Sequence, residues 1–211
     1  MKLRIVVAAL CLVTMPSLAS PQLVEGRDYV TIDARPVNPD ERVEVIQFFY
    51  YGCESCYLLE PLLREWVARR ATQIDFSLIP ALRRSSWVPL SDLFFALHSL
   101  GALPQLHHRV YIAIHEQNRR LSSRREQIMW VSEHGVDPVA FELELDSDAT
   151  MIATQQAHDA TLAYGIRATP SLVIDGRYLT TGEMIGKASR VTYVLDGLLE
   201  IALMARGSAF R

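Results

Sequence analysis

A strand-like run that ends in a pair of cysteines limits the fold more than any other feature of this chain. Val43 to Tyr50 is apolar at nearly every position and rich in valine, isoleucine and phenylalanine, the composition of a central strand buried on both faces. Tyr51-Gly52 breaks the run, and Cys53-Glu54-Ser55-Cys56 follows. From Tyr57 to Ala71 the spacing turns helical, with Leu58, Leu59, Leu62, Leu63, Trp66 and Val67 on a broad apolar face and Pro61 predicting a kink. Ile74 to Pro80 alternates into another strand. Strand, helix, strand is a βαβ unit whose crossover should be right-handed. The two cysteines are therefore expected where a strand hands over to a helix.

Two cysteines three apart at such a junction point the same way, within disulfide reach. The unsatisfied N–H groups and positive dipole end of the helix stabilise a thiolate at Cys53. Cys56, one turn inside, is the natural resolving thiol. Plainer roles compete with this one. A structural disulfide closing so small a loop would remove little entropy from the unfolded chain. A zinc site wants about four ligands, and His98, His107, His108, His115, His134 and His158 show no paired-ligand spacing near the cysteines. Most of these histidines read as surface or helix-packing residues. Covalent haem attachment needs a histidine after the second cysteine, where Tyr57 stands. The pair therefore reads as redox-catalytic. No metal is expected, and no cofactor other than the Cys53–Cys56 disulfide itself.

The N-terminus bears on the same question. Lys2 and Arg4 precede an apolar run from Ile5 to Val13 and a small-residue site, Ser17-Leu18-Ala19, the three-part pattern of a secretory signal peptide. The run is well short of the roughly 20 residues that span a bilayer. Cleavage after Ala19 keeps Pro21 from standing directly behind the cut, and Leu10 before Cys11 lacks the small residue that lipid attachment needs. Removing this segment takes Cys11 with it, leaving Cys53 and Cys56 as the only cysteines, in a compartment where a disulfide persists. The formal charge of −3 becomes about −5, which argues against a nucleic-acid partner.

Beyond the βαβ unit, Tyr29 to Asp33 could form a short strand, and the stretch from about Trp87 to Asp148 is helical. Helices are expected from Trp87 to a stop at Gly101, from Leu106 to Asn118, from a capping box at Ser123 to Gly135, and from Asp137-Pro138 to about Leu145. A further helix, capped by Ser147, runs to Tyr164 and ends at Gly165. Ser171 to Ile174 and Arg177 to Thr181 form strands around the hairpin signal Asp175-Gly176, and a last helix spans about Lys187 to Ala205. This order fits an α/β core carrying a helical insertion.

The segment Phe48-Phe49-Tyr50-Tyr51-Gly52-Cys53-Glu54-Ser55-Cys56-Tyr57, followed by Glu60-Pro61, resembles the DsbA-type periplasmic oxidases. The resemblance extends over the whole mature chain and includes Tyr164-Gly165-Ile166-Arg167-Ala168-Thr169-Pro170-Ser171. It implies a thioredoxin-like α/β fold with an inserted helical domain, divided as signal peptide 1–19, thioredoxin-like parts 20–85 and 150–211, and helical insertion 86–149. It implies Cys53 and Cys56 as the catalytic pair, Glu54-Ser55 as the active-site dipeptide, and a cis-proline loop at Thr169-Pro170 whose backbone could pair with an extended substrate. The implied partners are reduced or unfolded exported proteins and a membrane reoxidant of the DsbB type. The protein is expected to act as a monomer in the periplasm.

The chain departs from that family in three respects. Glu54-Ser55 replaces the usual Pro-His, which predicts a weaker oxidant. Gln47 stands where a buried acidic residue is common, and Thr169 replaces the usual valine before the loop proline. A reductase on the same chemistry remains an alternative, as does a redox-silent peptide-binding or chaperone module. An isomerase is disfavoured, because too few residues precede the first strand to build the N-terminal dimerisation domain that family isomerases use.

Overall fold

The computed structural model describes residues 22–33 and 41–208. The expected leader at 1–19 and Cys11 lie outside them.

Strand β1 (Val30–Thr31), β2 (Val43–Phe49), β3 (Ile74–Pro80), β4 (Ser171–Ile174) and β5 (Tyr178–Thr181) form one sheet in the order β1-β5-β4-β2-β3. β2 pairs in parallel with β3 and antiparallel with β4, so the strand leading to the cysteines is flanked on both sides. Its alternation distributes its side chains among distinct environments. Val43 and Val45 enter a core shared with Leu63 and Trp66, Ile46 and Phe48 enter the core on the opposite face, and Phe49 enters a third among the helices. Each such buried side chain contributes about 1.5–3 kcal/mol. The turn after β2 therefore starts from a firmly held point.

Helix α1 (Glu54–Arg70) begins three residues before the expected Tyr57, because Cys53 takes the N-cap position in an extended conformation. Leu59, Leu63 and Trp66 are buried, whereas Leu58, expected on the apolar face, is 58% exposed. Pro61 lies inside α1 without ending it.

Between β3 and β4 run a 3-10 turn (Ser85–Trp87) and helices α2 (Val88–Ser99), α3 (Leu103–His115), α4 (Arg124–Glu133), α5 (Pro138–Leu145) and α6 (Asp148–Ala163). The reciprocal capping box of Ser123 and Glu126 is present, and Asp137 and Ser147 cap the next two helices. Helix α3 is shifted from the expected 106–118. Pro104 suits its first turn, and Asn118 adopts a left-handed φ of 56° that no continuing helix allows. Asp175 and Gly176, both left-handed at φ 57° and 59°, turn β4 into β5 as the hairpin signal predicts.

A four-residue helix, α7 (Gly182–Ile185), follows β5; it was not expected, since one turn is too short to show periodicity. The last helix resolves into a 3-10 turn (Ala188–Arg190) and α8 (Val191–Ser208), which packs on α1 through Val194, Leu195 and Leu198. No helix among the described residues is long and apolar enough to cross a membrane.

Candidate active site

The two cysteines occupy different environments on one helical turn. Cys53, half-buried at the α1 N-cap, donates from Sγ to the Thr169 carbonyl at 3.2 Å. Cys56 is fully buried among Phe49, Tyr51 and Tyr111. Both are free thiols. The Thr169-Pro170 peptide bond is cis, and the loop that carries it, directly before β4, brings the Thr169 carbonyl to Cys53. Glu54 and Ser55, between the cysteines, are exposed.

This placement separates the two thiols electrostatically. The Cys53 thiol is lowered to about 6, first by a hydrogen bond with Cys56 and, against its partial burial, by the Thr169 side chain and the backbone of Cys56 and Ser55. Those backbone groups are the open N–H donors of the helix start. Burial pushes the Cys56 thiol far up, and neighbouring Cys53 adds to it.

A protonation consequence follows for a pair that cycles between dithiol and disulfide. Above about pH 6 the reduced form keeps one thiol proton, on Cys56; below it, Cys53 is protonated as well. Stabilisation of the reduced form by the thiolate is thus present above that pH and lost as pH falls through it. The reduction potential should change by about 30 mV per pH unit on the alkaline side and about 59 mV on the acid side, as one or two protons accompany two electrons. Equilibration with glutathione across this range reads the break. A single slope would show that Cys53 does not ionise there.

A shallow apolar groove of about 130 Å³ adjoins the pair, lined by Leu58, Leu59, Pro170, Gly182 and Ile185 among others. The sequence reading missed α7, which forms one wall. Gly182 lets that wall lie close to the loop, since a Cβ would lie 3.1 Å from the Pro170 ring. The one local signal was Thr181, whose side chain caps α7 by accepting from the Met184 N–H.

Three histidines on α3, read from the sequence only as surface or helix-packing residues, pack beside the site. The Tyr51 hydroxyl lies 2.8 Å from His107 Nδ1, and His115 Nε2 donates to the Tyr51 carbonyl at 2.8 Å. His108 Nδ1 lies 2.7 Å from the buried Glu60 carboxylate, at ion-pair distance though not in hydrogen-bond alignment. Gln47 is buried, its amide nitrogen has no hydrogen-bond partner, and with Glu60, His107 and His108 it bounds a cavity of about 270 Å³. Burial, followed by His108 and Arg64, holds the His107 imidazole down at about 4. Among the described residues no group of three or more His, Cys, Asp or Glu side chains is placed to hold a metal ion.

Comparison with known proteins agrees with this geometry. No protein-family model matches the chain. It is 31% identical over 185 residues to the thiol:disulfide interchange protein DsbA of Burkholderia cepacia, covering 86% of this chain and 87% of that one. It is 29% identical to the DsbA of Azotobacter vinelandii over 87% and 86% of the two chains. Among solved structures, the DsbA of Pseudomonas aeruginosa superposes with a TM-score of 0.80 at 27% identity, covering 88% of this chain and 96% of that one. The oxidoreductase DsbA of Xylella fastidiosa does so at 0.77 and 28%, over 85% and 97%. The fold is thus thioredoxin-like with an inserted helical domain, and the chain belongs to the DsbA family of thiol:disulfide interchange proteins.

Proposed function

We propose that this protein is a periplasmic dithiol oxidase that passes the Cys53–Cys56 disulfide to reduced exported proteins. A substrate thiolate attacks Cys53 Sγ, forming a mixed disulfide and expelling Cys56, which keeps the electron pair and takes a proton. A second substrate thiolate then attacks the substrate sulfur of that mixed disulfide and releases Cys53 as a thiolate. Two electrons have moved to the protein, and the substrate holds a disulfide. Reoxidation falls to a quinone-linked membrane partner of the DsbB type, and the disulfide pair is the only redox group required.

The observation that carries this reading is the inequality of the thiols: a half-exposed Cys53 lowered to about 6 beside a buried Cys56 raised by burial. A stabilised thiolate leaves readily, which favours handing the disulfide on. The groove containing Leu58, Pro170 and Ile185 supports an extended substrate segment, with the half-exposed Thr169 backbone as its pairing edge. The leader pattern at 1–19 supports export. The reduction potential tests the direction: a value near −120 mV, the figure known for the family's own strong oxidant, supports oxidation, and one near −270 mV, that of thioredoxin, overturns it for reduction.

The dipeptide should tune this value. Glu54 adds negative charge in the first turn of α1, and Ser55 offers a neutral hydroxyl where the family usually carries histidine. Glu54→Pro with Ser55→His should lower the Cys53 pKa and make the potential less negative, by about 30 mV for each pKa unit. No movement in either quantity would show that the exposed Glu54 is screened and the dipeptide does not tune the pair.

A further inference from the structure

We propose that His115 is a positioning residue of the redox centre, tying the helical block to the turn that presents Cys53. The inference rests on Cys53 being the reactive thiol.

The turn needs an external hold. Cys53 N–H donates to the Tyr50 carbonyl at 3.0 Å, closing a four-residue turn that contains Tyr51 and Gly52. Gly52 lets the Tyr50 ring lie against this turn, since a Cβ there would collide with that ring, and it brings no side chain that could anchor the turn to the rest of the fold. Upstream, Tyr50 stacks on Trp87 at 4.1 Å, and Tyr51, next to Gly52, is 1% exposed.

Helix α3 grips Tyr51 with one face. His107, Tyr111 and His115 are four residues apart and so lie on the same side of the helix. His107 meets the Tyr51 hydroxyl, the Tyr111 ring packs edge-on against the Tyr51 ring at 5.0 Å, and His115 donates to the Tyr51 carbonyl. A carbonyl only accepts, so Nε2 of His115 must carry the hydrogen. His115 is itself held, with its ring parallel to Tyr57 at 5.1 Å, while the Tyr57 hydroxyl donates to Glu116.

Of the three contacts, the bond from His115 bears directly on the backbone two residues from the nucleophile. The carbonyl belongs to a buried residue, and a buried acceptor without a donor drives its peptide to rearrange. Rotation of the Tyr51 carbonyl passes through Gly52 to Cys53. Cys53 would then shift from the N–H groups at the start of α1 that stabilise its thiolate. The reduced form loses that stabilisation and the disulfide does not, so the redox equilibrium moves as well as the fold stability.

The test compares His115→Phe, which keeps an aromatic ring beside Tyr57 but has no donor, with His115→Gln, whose amide can donate to the Tyr51 carbonyl. Each variant is made in the full chain, and the thiolate absorbance titration and the equilibrium with glutathione are measured. His115→Phe should raise the Cys53 pKa and reduce the oxidising equilibrium constant at least threefold, which is about 14 mV for a two-electron couple. His115→Gln should restore most of both. If His115→Phe does not fold, His115→Asn, polar but too short to reach the carbonyl, stands in its place. The proposal is overturned if only thermal stability falls while pKa and equilibrium stay put, or if Gln behaves as Phe does. A failure of the underlying reading looks different: the unaltered chain would then show no thiolate titration from Cys53 in the first place.

Discussion

Cys53→Ser and Cys56→Ser each abolish thiol oxidation, because neither can hold the disulfide, but only Cys56→Ser accumulates as mixed disulfides, formed when its Cys53 thiolate attacks a substrate disulfide and no Cys56 is present to displace the substrate. The asymmetry follows from exposure and charge. Cys53 can meet a substrate sulfur because it is half-exposed at the head of α1, facing the Thr169 loop, and its thiol is lowered to about 6. Cys56 is 0% exposed, and its burial opposes the thiolate. A buried thiol cannot receive an incoming protein, but it lies within reach of Cys53 and can resolve an adduct formed there. Removing Cys53 therefore removes the exposed sulfur that meets substrate, and removing Cys56 removes the disulfide to be donated and the thiol that resolves an adduct on Cys53, while leaving the Cys53 thiolate able to form one. Non-reducing electrophoresis of each variant, expressed with exported substrates and quenched in acid, distinguishes the outcomes. Adducts on Cys53→Ser but none on Cys56→Ser would reverse the two roles.

Acid should weaken the fold through His107. The imidazole is packed against Phe49, Tyr51 and Tyr111, and burial lowers its pKa to about 4. The unfolded chain takes up this proton near the ordinary histidine value of about 6.5, and the folded chain resists until about 4. A base with a depressed folded pKa loses stability as pH falls between those limits, because the unfolded state binds the extra proton throughout. The loss from this group reaches about 3 kcal/mol at the lower limit. The contribution of Asp28 falls in a separate window: its carboxyl is held below the ordinary carboxylate range by Arg27 and Arg190, and its stabilisation is lost only below about 4. Urea unfolding between pH 4 and 7 should show a flatter pH dependence for His107→Gln than for the unaltered chain. Parallel curves would mean that His107 is protonated in the folded state at ordinary values.

Much of the fold is legible because its signals are local. The alternation from Val43 to Phe49, the caps at Ser123, Asp137 and Ser147, and the left-handed pair Asp175-Gly176 each act on residues a few positions away. Such signals survive whatever the rest of the chain does. They misplace α3 by three residues at each end and miss α7, where a helix start rests on one proline and a single turn offers no period to read. The cysteine pair at a strand-to-helix junction is legible for the same reason, since strand, break and helix are all contiguous.

The surroundings of that pair are not contiguous. Tyr51 meets His107 across 56 positions and His115 across 64, and Cys53 meets Thr169 across 116. No local pattern marks those partners: His107 and His115 are ordinary members of an amphipathic helix until the insertion folds back onto the turn. Leu58 shows the converse, a leucine with the spacing of the buried face that the tertiary structure leaves beside the groove. The sequence by itself determined the fold class, the order of its elements and the two reactive sulfurs. Only the tertiary structure decided how deeply Cys56 is buried, that the Thr169 loop meets Cys53 and which helix holds the turn beneath it, because burial and hydrogen-bond partnership arise when distant segments pack together.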